Sequence, residues 1–206
     1  MKKYLFRPLL TLLTACLVLA LAGACKKQCP DSYCDEPAKP AYYDVQGVIL
    51  VALDASRDPA RVLQSGGAVP TASLLLEVRP DVRVYSWQAA PRPAGGFFPA
   101  AYALTPAAPT FTETLDSLRV RSRFDYDARH LAGTPLNDLL LATDDVQRVA
   151  LPLPDYLTQG NGRLTTQLNL RLSAAPAQAG PQQFEVRYRL RNGEVYTALT
   201  LALRLN

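Results

Sequence analysis

A regular alternation of apolar and polar residues near the C-terminus constrains the fold most strongly. Apolar side chains occupy every second position over 184–190, Asn192-Gly193 follows, and the alternation resumes over 195–203. A period of two residues is typical of a strand with one buried face, and Asn-Gly is favoured in two-residue type I′ turns. The segment therefore predicts a β-hairpin.

A two-residue turn also fixes the pairing register of this hairpin. We expect one face to be wholly apolar and to lie in the core, and the other face to carry Arg, Tyr, Thr and Ala. The expected cross-strand partners are Leu190 with Val195, Phe184 with Leu201, Arg191 with Glu194, and Arg189 with Tyr196 in a cation–π contact.

Similar short apolar segments, bounded by Gly or Pro, occur along most of the chain. They predict strands at residues 45–53, 72–78, 82–87, 115–124 and 164–172. Residues 134–141 alone predict a helix, in an interstrand connection, with Thr134 as N-cap and Pro135 in the first helical position. We therefore predict an all-β fold: an antiparallel two-sheet β-sandwich, immunoglobulin-like, with one short helix.

The N-terminus has the features of an export signal. Lys2, Lys3 and Arg7 precede an apolar run, residues 8–22, that contains no charge and is too short for a comfortable membrane span. The run ends in Leu21-Ala22-Gly23-Ala24-Cys25, which resembles a bacterial lipobox. We therefore expect residues 1–24 to be a lipoprotein signal peptide and Cys25 to be lipidated, so that acyl chains anchor the protein in a membrane.

Two alternatives to this anchor stay open. A second lipobox-like sequence ends at Cys16, but cleavage there would leave the apolar residues 17–24 on the mature protein. The segment could also be a secretory signal without lipid, or an uncleaved anchor.

Residues 25–40 combine the lipidated Cys with a tether that contains Cys and Pro. Fifteen residues after Cys25 span at most about 50 Å at about 3.3 Å per residue. Cys29 and Cys34 remain after processing, and in an oxidising compartment such a pair more often forms a local disulfide than stays as free thiols or binds metal. Residues 41–206 then form the β-sandwich domain.

The formal charge of +4 comes mostly from the signal segment. Three of the 22 basic residues lie there and none of the 18 acidic ones does, so the mature chain keeps 19 basic residues and a net charge of +1. Alternating arginines at 119–123 and 187–191 could meet a polyanion, but such rows are also ordinary solvent faces. We expect no nucleic-acid partner.

The sharpest polar cluster is Asp125, Asp127 and His130, just after a predicted strand. Carboxylates at this spacing beside an imidazole could bind a hard cation or position a general base. The alternative is a strand-to-loop turn in which the Asp side chains cap backbone amides. We predict no cofactor and no enzymatic activity, because the chain has no G-x-S-x-G sequence and a single His.

A second candidate is the Pro-rich loop at 88–109. Trp87 precedes it, and Phe97, Phe98 and Tyr102 lie within it. Exposed aromatics on a rigid loop could stack on sugar rings or bind a peptide. The alternative is a long crossover whose aromatics cover the core.

Several motifs taken together resemble an uncharacterised family of Bacteroidota lipoproteins. They are the Cys25-x3-Cys29-Pro30-x3-Cys34-x2-Pro37 spacing, residues 101–104, the Asp125-to-Thr134 segment and the 184–194 hairpin. The resemblance implies outer-membrane attachment and supplies no activity or catalytic residues. Surface-displayed members often have acidic residues after the lipidated Cys, whereas Lys26-Lys27-Gln28 stands here, so the periplasmic or outer orientation stays open.

Our leading functional hypothesis is a lipid-anchored protein of the cell envelope. We expect its domain to be a non-enzymatic binding or assembly module that contacts protein or glycan. A purely structural or adhesin-type envelope subunit is the alternative, favoured by exchange of the terminal strand between molecules. A cation-dependent hydrolase centred on Asp125, Asp127 and His130 would require these side chains to converge in a concave pocket.

Overall fold

A computed structural model describes residues 41–86, 108–144 and 148–206. Within these ranges the chain forms thirteen strands, one α-helix, and 3-10 turns at Thr71–Ser73 and Asn137–Leu139. The strands are β1 (Ala41–Asp54), β2 (Arg61–Val62), β3 (Ala68–Val69), β4 (Leu74–Ser86), β5 (Thr110–Phe111), β6 (Leu115–Ser122), β7 (Leu140–Asp144), β8 (Leu151–Pro152), β9 (Leu168–Leu172), β10 (Gly180–Gln182), β11 (Phe184–Leu190), β12 (Val195–Leu199) and β13 (Leu203–Leu205). The helix is α1 (Leu153–Gln159).

These strands form one large sheet and two three-stranded sheets. The large sheet has the order β2-β1-β4-β9-β7-β8, with β5 pairing beside the start of β1; the second sheet is β10-β13-β3, and the third is β12-β11-β6. All pairs are antiparallel except β5 with β1 and β13 with β3. The all-β architecture predicted from the sequence is confirmed, and the finer immunoglobulin-like assignment stays a prediction.

The core lies between the large sheet and the third sheet. Leu76 and Leu170 from the large sheet belong to the same buried cluster as Val120 and Val186 from the third. On β9 the burial alternates, with Leu168, Leu170 and Leu172 inside, as expected for strands that each bury one face. Lys39–Asn206 forms one compact unit around this core.

The two strands predicted at 72–78 and 82–87 are in fact one continuous strand, β4. Pro80 stays in the ladder opposite Val48, and the partner strand absorbs the irregularity through a bulge between Val45 and Gly47. Proline is tolerated at strand edges and bulges, where its missing N–H breaks no essential hydrogen bond. The prediction of a strand boundary at Pro80 was therefore wrong.

The helix predicted at 134–141 is also wrong in position. The Thr134 hydroxyl donates to the Leu131 carbonyl instead of capping a helix, and only Asn137–Leu139 forms a single 3-10 turn. The Asn137 side chain accepts from the Val120 N–H and donates to the Leu118 carbonyl, so it extends the ladder of β6. The one α-helix among the described residues is α1, in the connection between β8 and β9.

The C-terminal hairpin forms with a register one residue away from the prediction. Tyr188 pairs with Tyr196 and Arg189 with Val195, so the expected Arg189–Tyr196 contact does not occur. The Gly193 N–H donates to the Leu190 carbonyl, which makes a three-residue loop with Gly193 at a φ of 96°. A three-residue loop with Gly in the left-handed position is the next commonest hairpin connection after the two-residue turn.

The shifted register exchanges the buried and exposed faces of β12. Tyr196 and Ala198 point toward the core, whereas the aliphatic residues predicted to be buried lie outside. Val195, Leu199 and Leu201 are 42%, 39% and 57% exposed. A slip of one residue exchanges the two faces of a strand, and the exposed aliphatic strip follows directly from it.

Candidate functional site

The segment after β6 is a turn held together by aspartate side chains. Asp125 Oδ1 accepts a hydrogen bond from the Ala132 N–H at 2.7 Å. Asp127 Oδ1 accepts from the N–H groups of Arg129 and His130, at 2.7 and 2.8 Å. Aspartate folds back on the following backbone in this way at many turns, and here it closes the loop around His130.

His130 lies between two carboxylates. Its Nδ1 is 2.9 Å from both carboxylate oxygens of Asp127, and its Nε2 is 3.1 and 3.2 Å from those of Asp138. The residue is only 7% exposed. Both ring nitrogens therefore face acceptors, an arrangement that suits the doubly protonated imidazolium. We call Asp127, His130 and Asp138 the histidine cluster.

The electrostatics of the histidine cluster follow from this geometry. The hydrogen bond to Asp127 raises the pKa of His130 above its ordinary value, and Asp138 adds to the effect while burial opposes it. The same contact with His130 lowers the pKa of Asp127. Each charge thus stabilises the other.

Tyr126 attaches this turn to the core. Its ring is almost fully buried, and its hydroxyl donates to the Ala174 carbonyl at 2.6 Å. Burial raises the pKa of Tyr126 far above its usual range, so the hydroxyl stays neutral. Backbone hydrogen bonds from Tyr126 to His130 and from Ala177 to Tyr126 complete the connection.

The structure brings Asp127 and His130 together, adds Asp138, and directs Asp125 to a different partner. A general base needs a free ring nitrogen within reach of substrate, and both nitrogens of His130 are engaged. No group of three or more His, Cys, Asp or Glu side chains in the described ranges could hold a metal ion. The geometry matches the turn-capping alternative. Asp138 was missed because it lies eight residues further on, in a segment predicted to be helical.

A second feature is an aliphatic groove between the end of β1 and the C-terminal segment. It encloses about 170 Å³ and is lined by Leu50, Val51, Ala52, Val62, Leu63, Gln64, Leu199, Leu201 and Leu203. Hydrogen bonds from the Gly66 N–H to the Ala202 carbonyl and from the Arg204 N–H to the Gly67 carbonyl hold its two sides together.

Chemically, the aliphatic groove can accept an apolar group. Its volume is well below the roughly 300 Å³ typical of the smaller pockets for drug-sized ligands. A space of this size suits a single aliphatic side chain. Sequence reasoning missed this groove because the expected register buried Leu199 and Leu201 in the core.

Several predicted site residues lie outside the residues that the structure describes. They are the lipidation site Cys25, the possible disulfide pair Cys29 and Cys34, and the aromatic candidates Trp87, Phe97, Phe98 and Tyr102. These assignments stay predictions.

Among the described segments, no helix has the length and apolar character needed to cross a membrane. Comparison of the chain with protein-family models, with curated proteins and with solved structures finds no match.

Proposed function

We propose that the protein is a lipid-anchored component of the cell envelope whose β domain is a non-enzymatic binding or assembly module. The lipobox-like sequence ending at Cys25 supports the anchor. The aliphatic groove is the observation that carries the binding role. The resemblance to Bacteroidota lipoproteins favours the outer membrane as the site of attachment.

The composition of the groove favours a protein partner over a glycan. Among the described residues that line it, eight of nine are aliphatic and Gln64 alone is polar. Sugar sites need aromatic platforms and converging hydrogen-bond groups, whereas protein interfaces bury aliphatic side chains at their centres. Leu201 and Val62 are already exposed at the rim, so a partner could cover them without rearrangement.

The C-terminal strand favours binding over strand exchange between molecules. In the structure β13 pairs with β10 and β3 of its own chain, and Leu203 and Leu205 are both buried. A strand that already fills its own sheet gains nothing by moving to a second copy. The adhesin-type alternative therefore has less support than a binding module.

Photo-crosslinking in cells tests the partner directly. A photoreactive amino acid replaces Leu201 in the full-length chain, and a matched variant carries it at Leu131, which is 56% exposed against 57% for Leu201 but does not line the groove. We expect light-dependent adducts to another envelope protein from position 201 and none from position 131. A glycan array with the same protein tests the sugar alternative.

The outcomes separate the functions. Equal adducts from both positions, or none from either, would contradict a protein partner at the groove. Glycan binding that survives substitution of Leu201 would move the site elsewhere on the domain.

The anchor has its own test. Intact mass spectrometry of the protein from membranes should give a chain that starts at Cys25 and carries a diacylglyceryl group. Cys25→Ala should leave an unlipidated chain. Lipidation that persists in this variant and disappears in Cys16→Ala would identify the competing lipobox.

A further inference from the structure

The outer side of the third sheet gathers the two arginine rows on one surface. We call it the basic face and define it by five exposed arginines of β6, β11 and the residue after β6: Arg119, Arg121, Arg123, Arg187 and Arg189. The antiparallel register of β6 and β11 aligns them, because it places Arg187 directly opposite Arg119 and Glu185 opposite Arg121. Its five arginines lie outside the aliphatic groove that carries the proposed function, whereas Leu199, on the neighbouring edge strand, also lines that groove.

Two carboxylates neutralise the ends of the basic face. Glu185 lies 2.5 Å from Arg121 Nη2 and 3.7 Å from Arg123 Nε. Asp116 lies 3.3 Å from Arg189 Nε. Glu185 is nearly buried beneath its two arginines, so these three side chains form an ion-pair network with each other.

The centre of the face is different. In the part of the chain that the structure describes, no carboxylate lies within ion-pair distance of Arg119 or Arg187. Like charges directly opposite each other on neighbouring strands are destabilising. Thr197 continues the same row on β12, directly opposite Arg187. An anion between the two arginines would relieve their repulsion.

The neighbouring edge strand adds apolar surface to this charge. Val195 lies opposite Arg189, and Leu199 lies opposite Glu185, both on the outer side and both exposed. A surface with arginines at its centre and aliphatic side chains along one edge matches the boundary between lipid headgroups and acyl chains.

We propose that the basic face docks on an anionic phospholipid surface. Headgroup phosphates bind between Arg119 and Arg187, whose planar guanidinium groups suit phosphate oxygens, while Val195 and Leu199 contact the acyl-chain boundary. The described part of this face has no aromatic side chain for stacking on bases or sugars, which favours lipid over nucleic acid or glycan. A tether of at most about 50 Å from the predicted anchor keeps the face within reach of a membrane.

Vesicle flotation tests this docking without the anchor. The protein is the mature chain, residues 25–206, with Cys25→Ser, which contains the complete compact unit Lys39–Asn206. The vesicles are phosphatidylcholine alone and phosphatidylcholine mixed with phosphatidylglycerol, each at low and high salt. We expect binding to the anionic vesicles only, with a loss at high salt because screening weakens exposed charges.

Charge-matched variants locate the contact. Arg119→Gln/Arg187→Gln should bind the anionic vesicles about 25-fold more weakly, about fivefold for each arginine. Arg57→Gln/Arg61→Gln removes the same charge from exposed positions outside the face and should bind nearly as well as the parent chain. Thermal unfolding of both variants controls for folding, and the first should unfold no earlier than the parent because a repulsive pair has gone.

Three results would overturn the proposal. One is equal weakening by the two double variants, which would mean that net charge alone drives binding. Another is equal binding to vesicles with and without phosphatidylglycerol. The third is failure to bind vesicles together with binding to heparin or duplex DNA, which would assign the face to a different polyanion.

Discussion

Two regions next to the same three-stranded sheet differ in whether their side chains have partners within the chain. In the histidine cluster the polar side chains find partners within the chain, and Tyr126 fixes the turn to the core. Along the outer side of β12, aliphatic side chains lie in solvent without a covering element among the described residues. The polar groups of the first region are satisfied within the chain, whereas the aliphatic side chains of the second are exposed and available to the partner that we propose.

The difference shows how misleading residue type alone can be. Asp, Asp and His in a short segment is a pattern typical of catalytic and metal sites, yet here these side chains build a turn. Alternating aliphatic residues are typical of a core, yet part of the row forms the surface we propose to be functional. In this domain, the contacts that a side chain makes are therefore a better guide to its role than its residue type.

The largest expected effect comes from removing Tyr126, which attaches the histidine cluster to the core. Tyr126→Ala deletes a fully buried ring, and large aromatic-to-alanine changes in cores cost about 3–5 kcal/mol. Tyr126→Phe keeps the ring and loses only the hydrogen bond to Ala174, at about 1 kcal/mol. Urea unfolding of the two variants measures both. Equal costs would mean that the ring is not packed as the structure has it.

A smaller loss is expected inside the histidine cluster. His130→Ala removes the cation that two carboxylates face, and hydrogen bonds to charged groups are worth about 2 kcal/mol. The neighbouring variant Arg129→Ala keeps its backbone contact with Asp127 and should stay within about 0.5 kcal/mol of the parent chain. If both changes were equally mild, the cluster would contribute nothing to stability.

The stability of the cluster should depend on pH in a defined direction. The pKa of His130 is raised above 6.5, so its stabilising charge is fully present below that pH and is lost as pH rises through the raised pKa. The pKa of Asp127 is lowered below 3.8, so its contribution is lost only as pH falls through that lower pKa. The free energy of unfolding should therefore fall as pH rises above 6.5 and through the raised pKa of His130, and His130→Gln should remove this dependence.

NMR offers a direct reading, because the chain contains one histidine. The ring-proton signal should titrate with a midpoint above 6.5 in the folded protein and near 6.5 in urea. A midpoint at or below 6.5 in the folded protein would contradict the double contact with Asp127 and Asp138.

Sequence reasoning predicted the all-β architecture because strand periodicity depends only on which faces are buried. It failed where a neighbour decides the outcome. Pro80 stays within β4 in register with Val48 of β1, and β1 bulges further along, opposite Asp81 and Val82. Asn137 ends a helical pattern because its amide bonds to β6. The partnership of Asp138 with His130 likewise depends on tertiary structure.

The hairpin register is the most instructive case. Asn192-Gly193 is compatible with a two-residue turn and with a three-residue loop that has only Gly193 in the left-handed region. Both loops leave an alternating pattern on β12, so the sequence could not decide which face is buried. Whether the loop contains two or three residues therefore decides whether the aliphatic side chains of β12 are buried or exposed.

The smallest expected effect is the one that decides between the two registers. Leu201 is 57% exposed, so Leu201→Ser should change the free energy of unfolding by no more than about 0.5 kcal/mol. Leu203, two residues further on, is 1% exposed, and Leu203→Ala should cost about 2–5 kcal/mol. Urea unfolding of the two variants measures the contrast. A large cost for Leu201→Ser would place this side chain in the core, as the two-residue turn predicts, and would remove the aliphatic groove on which the proposed function rests.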